Sequence, residues 1–227
     1  MLQTIAFATV ASLGLVLGSL VGVFWKAPRP FHAAVLAFAA GSLIAALAFE
    51  LFDREKHQNL LVASIGLVAG AAIFIVADAM LTKHLPKRKA AGFALLLAVT
   101  LDGVPENLAL GVTLATSGSV ALLTAIFVAN VAEALGGAAE MRAEGESPRR
   151  TILLWFVTAA LLTTAVFLGR FLGSESSESF LLAFAGGAVL AAIADTLVPE
   201  AYREGGPYVA FATVAGFLLS FVLASSN

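Results

Sequence analysis

The chain is a succession of long apolar runs, each near the roughly 20 residues that a helix needs to cross a lipid bilayer. The punctuation falls between them: Pro28 and Pro30, Pro86, Pro148, and Gly205-Gly206-Pro207 separate one run from the next. The pattern predicts helices over about 4–25, 31–52, 60–82, 91–116, 119–141, 151–173, 178–200 and 206–225. No stretch alternates with the period of two that a transmembrane barrel strand requires, so the expected fold class is all-α. Composition agrees, because 60% of the 227 residues are hydrophobic and only 12% are charged. A soluble domain carries about a quarter charged residues. The expectation is a polytopic integral membrane protein, one transmembrane domain over 1–227 with eight transmembrane helices.

Several function classes drop out. Cysteine is absent, which removes disulfides, thiolate metal sites and a cysteine nucleophile. The formal net charge is −2 with no basic tail, so nucleic acid is not an expected partner. Neither His-Glu-x-x-His nor Gly-x-Ser-x-Gly occurs, so an enzyme is not expected. The segment 1–3 carries no Lys or Arg and the run after it exceeds a signal-peptide core, which predicts a retained first span.

Basic residues concentrate on one side of the expected membrane. The odd-numbered connections carry Lys26, Arg29, Lys83, Lys87, Arg88, Lys89, Arg142, Arg149, Arg150 and Arg203, ten of the thirteen. Arg54, Lys56 and Arg170 fall on the other side, where Arg170 is expected to snorkel. Basic loops stay cytoplasmic. Both termini are therefore expected outside, in a bacterial-type inner or plasma membrane.

An internal repeat is visible. Ala37-Phe-Ala-Ala-Gly-Ser-Leu-Ile-Ala-Ala-Leu-Ala-Phe-Glu-Leu51 aligns without gaps with Ala183-Phe-Ala-Gly-Gly-Ala-Val-Leu-Ala-Ala-Ile-Ala-Asp-Thr-Leu197, with eight identical positions. These are the second and seventh runs, which would cross in opposite directions. That is an inverted-topology repeat of the kind found in secondary transporters. The Gly and Ala faces suit close helix packing, and would serve a homodimer contact equally well.

Acids inside the runs carry the chemistry. Asp102 and Glu106 are one turn apart near the centre of the fourth run, and Asn130 and Glu133 share a face near the centre of the fifth. A charge at that depth costs roughly 2.5–3.5 kcal/mol. Pro105, between the first two acids, removes a backbone bond to the Leu101 carbonyl and kinks the helix there. The short link at 116–119 puts the fourth and fifth helices side by side. Their motifs also align, Gly103-Val-Pro-Glu-Asn-Leu108 against Asn130-Val-Ala-Glu-Ala-Leu135. Three explanations remain open for these acids: a protonated pair joining helices, a proton or sodium relay, or a divalent-cation site with Asp102, Glu106, Asn130 and Glu133 as ligands. His32, His57 and His84 are expected in loops, so the ligand set is oxygen only. Such sites suit Mn²⁺, Mg²⁺ or Ca²⁺, with Fe²⁺ and carboxylate-bound Zn²⁺ allowed. Glu50 and Asp53 at one end, and Asp78, Glu140, Asp195 and Glu200 at the other, would extend a string of weak cation sites.

Over nearly its whole length the sequence resembles the ZIP (Zrt/Irt-like) divalent-metal transporters. The most specific piece is Asp102-Gly-Val-Pro-Glu-Asn-Leu-Ala-Leu-Gly111, which is similar to that family's His-Asn/Ser-x-Pro-Glu-Gly-Leu-Ala signature. Asn130-Val-Ala-Glu133 resembles its partner motif, and Asp195-Thr-Leu-Val-Pro-Glu200 resembles the ending of its seventh helix. The resemblance implies eight spans and a binuclear site in which Glu106 and Glu133 bridge metals, with Asn130 and Asp102 serving one each. Asp102 stands where the signature has His, and Gly103 where it has a polar ligand. Ala129, Ala132 and Ala134 replace a ligand, a proline and a glycine, and Thr163 stands near a position where many bacterial members carry Glu. The expectation is one site with altered metal preference.

Two readings of function follow. The first is a carrier for divalent cations of the zinc, manganese or iron type, working by alternating access, with the metal as substrate and no resident cofactor. The second is a protein of the same fold that has lost transport and acts as a metal sensor or regulatory subunit.

Overall fold

Helix ends coincide with the expected punctuation. Ser119 caps one helix by accepting from the Leu122 N–H at 3.1 Å, and Ser147, followed by Pro148, caps the next through the Arg150 N–H. The computed structural model describes residues 1–52, 60–84, 91–174 and 177–226. Asp53, Arg54, Lys56, His57 and the basic connection 86–89 lie outside the described residues, as do the side chains of Glu50 and His84. All regular structure among the described residues is helical. In chain order the elements are α1 (Leu2–Phe24), α2 (Arg29–Phe52), α3 (Leu60–His84), α4 (Ala91–Thr113), α5 (Val120–Ala143), α6 (Pro148–Leu172) and α7 (Glu178–Ala192). A π-helical turn (Ile193–Leu197), α8 (Val198–Gly205), a 3-10 turn (Gly206–Tyr208) and α9 (Val209–Ser225) complete them. Gly206 takes φ +66°, a backbone region open to glycine, where the chain turns from α8 into α9.

Glycines set how closely the helices approach. Gly14, Gly18 and Gly22 of α1 lie against the Phe127, Val131 and Leu135 carbonyls of α5, so any Cβ there would meet backbone. Gly41 of α2 meets the Thr213 carbonyl of α9, and Gly216 of α9 meets the Phe38 carbonyl of α2. Gly70 of α3 and Gly187 of α7 make the matching exchange with the Phe184 and Leu67 carbonyls. Gly111 of α4 and Gly169 of α6 do the same with Val166 and Leu108. Where the surroundings are as apolar as the side chains, close backbone packing of this kind holds helices together.

The packing has an internal symmetry. α1 packs on α5 as α6 packs on α4; α2 packs on α9 as α7 packs on α3; and α2 reaches α5 as α7 reaches α4. Exchanging α1 with α6, α2 with α7, α3 with α9 and α4 with α5 leaves this pattern unchanged. The individual contacts obey it too. One sequence offset relates Phe38 to Phe184, Gly41 to Gly187, Leu67 to Thr213 and Gly70 to Gly216. The relation seen in the 37–51 and 183–197 segments therefore extends into α3 and α9. The offset that aligns Glu106 with Glu133 also aligns Leu108, under Gly169, with Leu135, under Gly22.

The four helices at the middle are α2, α4, α5 and α7. α3 is peripheral and exposes Ile65, Val68, Ile73, Ile75 and Val76, while α9 exposes Phe211, Val214 and Val222. An outer surface of that kind suits a hydrocarbon solvent. Among the described residues, six helical stretches are long and apolar enough to cross a membrane: Leu2–Phe24, Arg29–Phe49, Leu60–Leu81, Val120–Ala143, Pro148–Leu172 and Glu178–Ser225. The protein is thus all-helical with the character of an integral membrane protein.

Candidate functional site

α4 and α5 bring the expected ligands into the interior. Asp102, Glu106, Asn130 and Glu133 are all buried, at 4%, 1%, 0% and 8% exposure. Pro105 lies inside α4 between its two acids. On α5, Asn130 donates from Nδ2 to the Ala11 carbonyl of α1 at 2.9 Å, a contact permitted by the close fit of Gly14 over Asn130. That bond leaves Asn130 Oδ1 as an acceptor. Asn130 Oδ1, both Glu106 carboxylate oxygens and Glu133 Oε1 are buried without a hydrogen-bond donor.

The third wall is the π-helical turn after α7. Pro199 lacks an N–H, so the Asp195 carbonyl loses the partner an α-helix would supply. Within the widened turn Thr196 is placed 3.2 Å from Asp102 Oδ2 and 2.6 Å from the Ala192 carbonyl. A hydroxyl has one proton, and the shorter bond to Ala192 claims it. A cavity of about 170 Å³ opens beside this turn, lined by Asp102, Glu133, Asp195, Thr196, Glu200 and Arg203, among others. Glu106 and Asn130 do not line it. Glu133 is nevertheless within electrostatic reach of Glu106, Asp102 and Glu200.

This arrangement is costly without a positive species. A buried oxygen left unpaired forfeits about 1–3 kcal/mol, and neighbouring carboxylates add mutual repulsion. Protons or a cation would relieve both. The donors are of the type a hard or borderline divalent ion takes, and because Asp102, Glu106 and Glu133 do not all lie within 4.8 Å of one another in this structure, binding one ion would draw them together.

A second cavity, about 260 Å³, lies toward the end of the bundle where α1 meets α2, and is lined by His32, Gly136, Glu140, Glu200 and Glu204 among others. Glu200 lines both cavities. His32 corrects the sequence expectation. It is not in a loop: Pro30 sits in the first turn of α2, where a missing N–H is tolerated, so the helix has already begun by His32. The imidazole is buried at 7% exposure and its Nδ1 lies 2.9 Å from Glu204 Oε2. Arg170 donates from its guanidinium to the Leu114 carbonyl just beyond α4, supplying a partner for a helix-end carbonyl. Thr163 hydrogen-bonds Ser12 at 2.6 Å and packs α6 on α1.

Sequence reasoning missed Thr196, Arg203 and the His32–Glu204 pair. Pro199, four residues after Asp195, was the available signal for the turn that positions Thr196. In comparisons with known proteins, no family model matches the chain and no curated protein matches its sequence.

Proposed function

We propose that this protein is a membrane carrier for a divalent cation, of the ZIP type its sequence resembles, with Asp102, Glu106, Asn130 and Glu133 as the transport site. In this proposal the chain crosses the membrane eight times. α4 is a span in spite of its acids, and the turn at Gly206–Tyr208 divides Glu178–Ser225 into two passes. Both termini lie outside and the basic loops face the cytoplasm of a bacterial-type inner or plasma membrane.

The observation that carries the proposal is the set of donorless buried oxygens on Glu106, Asn130 and Glu133. A purely structural helix contact gains nothing from them. The pseudo-symmetric packing of the two halves supports alternating access, because two such halves can exchange conformations around a shared site. Glu106 and Glu133, equivalent under that exchange, would hold the ion in both.

Elemental analysis of cells expressing the protein, across Mn, Fe, Co, Ni, Cu, Zn and Cd, tests this against a Glu106→Ala, Glu133→Ala double variant at matched expression. Accumulation of one divalent metal that disappears in the variant is the expected result. No difference for any metal would overturn the carrier function and favour a sensor or regulatory subunit of the same fold.

A further inference from the structure

His32 comes from the first turn of α2, and Glu200 and Glu204 from α8; their ligand atoms all lie within 4.8 Å of one another. Among the described residues this is the group of His and acidic side chains gathered closely enough to hold one ion. The His32 ring fits because α5 has glycine at 136, where a Cβ would press on Nε2 and Cε1.

The two ring nitrogens have different roles. Nε2 lies 3.2 Å from the Ala132 carbonyl oxygen, which can only accept, so Nε2 carries a proton. Nδ1 is left facing the Glu204 carboxylate. A bare nitrogen lone pair against a carboxylate oxygen is repulsive, so a positive species belongs between them. A proton on Nδ1 would pair with Glu204 alone; Glu200, with Arg203 nearby, makes no hydrogen bond or ion pair of its own among the described residues. A divalent cation bound by neutral imidazole and two carboxylates makes the group neutral.

We propose that His32 Nδ1, Glu200 and Glu204 form a second divalent-cation site at the mouth of the bundle, separate from the site between α4 and α5. Its nitrogen donor suits Zn²⁺ or Co²⁺ better than Mg²⁺ or Ca²⁺. An ion with bonds of about 2.0–2.2 Å would sit among the three ligand atoms, with the Nδ1–Oε2 pair, now 2.9 Å apart, opening to admit it. Glu200 lines the cavity shared with Asp102 and Glu133, so it would pass an ion from the interior to this mouth. That role in a path rests on the carrier function; the capacity to bind does not.

The test is Co²⁺ titration of the purified full chain in lipid nanodiscs, read by visible absorption and by bound-metal stoichiometry. A Glu106→Gln, Glu133→Gln background removes the interior site. It is expected to retain a single Co²⁺ with the spectrum of a nitrogen-containing site. Adding His32→Gln or Glu204→Gln should weaken that binding at least about tenfold. The Glu204 variant leaves the Gly136 slot untouched, so it decides the matter if the His32 variant does not fold. Background protein that binds no Co²⁺, or binding unchanged by Glu204→Gln, would overturn the proposal and leave His32–Glu204 as an ion pair alone. Failure of the carrier function is read separately, as absent metal accumulation in cells with Co²⁺ binding intact.

Discussion

Asn130 donates to the Ala11 carbonyl across the α1–α5 interface at 2.9 Å, and that bond leaves its buried amide oxygen as a free acceptor. Replacing the amide tests both halves of the arrangement. In Asn130→Asp the donor is lost and a carboxylate oxygen meets the Ala11 carbonyl. Stability without metal should fall by about 1–3 kcal/mol, the cost of buried unpaired polar atoms. Asn130→Ala removes the ligand oxygen with less electrostatic damage, and should lose metal accumulation while keeping more of the melting temperature. Thermal denaturation in detergent and cellular metal content measure the two effects. Normal accumulation by Asn130→Ala would show that its oxygen is not a ligand.

Glu106→Gln and Glu133→Gln are expected to separate stability from function. Each carboxylate is buried with unpaired oxygen, so neutralising it relieves repulsion. In metal-free buffer the variants should melt at or above the temperature of the unaltered protein. With the second site removed by Glu204→Gln, adding metal at one hundred times Kd should stabilise the protein by about 2.7 kcal/mol, and the Glu106 and Glu133 variants in that background much less. A metal-induced rise in melting temperature that survives both changes would place the bound ion elsewhere.

The order and approximate limits of the helices were legible because proline and glycine punctuate long apolar runs, and Ser119 and Ser147 cap helices at those boundaries. The interior position of Asp102, Glu106, Asn130 and Glu133 was legible for a related reason: each lies near the centre of a mostly apolar helical run, where a polar group must face the protein interior instead of lipid. The start of α2 was not. Pro28 and Pro30 resemble a loop, but proline is also a favoured first-turn residue, and that ambiguity hid His32 from the site. The π-helical turn was hidden as well, because α and π turns use the same residues and differ in which carbonyl each N–H finds. The repeat was readable in α2 and α7. In α3 and α9 the identities are Val68-Ala-Gly70 with Val214-Ala-Gly216 and Val76 with Val222, a run too short to stand out among apolar residues until the backbone packing aligns it.

Metal uptake should depend on pH through competition between protons and the ion. Carboxylates must lose protons to bind a cation, so binding releases protons and the apparent affinity falls as pH is lowered. In proteoliposomes, acidification on the uptake side should raise the metal concentration needed for half-maximal rate. Excess metal should restore much of the lost rate. An uptake rate independent of pH, or a loss that no metal concentration reverses, would argue against carboxylate ligation.

Gly41 and Gly187 make the pseudo-symmetry itself testable. Each is fixed by a backbone carbonyl, Thr213 for Gly41 and Leu67 for Gly187, at equivalent crossings of α2 with α9 and of α7 with α3. A methyl group at either position must push two helix backbones apart. Overpacking of this sort costs about 1–3 kcal/mol. Gly41→Ala and Gly187→Ala should therefore lower the melting temperature by similar amounts. The paired changes Gly41→Ala and Gly216→Ala affect one crossing, so together they should cost less than the sum of the two alone. Gly41→Ala combined with Gly187→Ala affects two separate crossings, and the costs should add. Melting curves of the three single variants and the two doubles in one detergent decide this. A large loss for Gly41→Ala with none for Gly187→Ala would mean that the two halves do not share one packing scheme. Alternating access built on their exchange would then lose its structural basis.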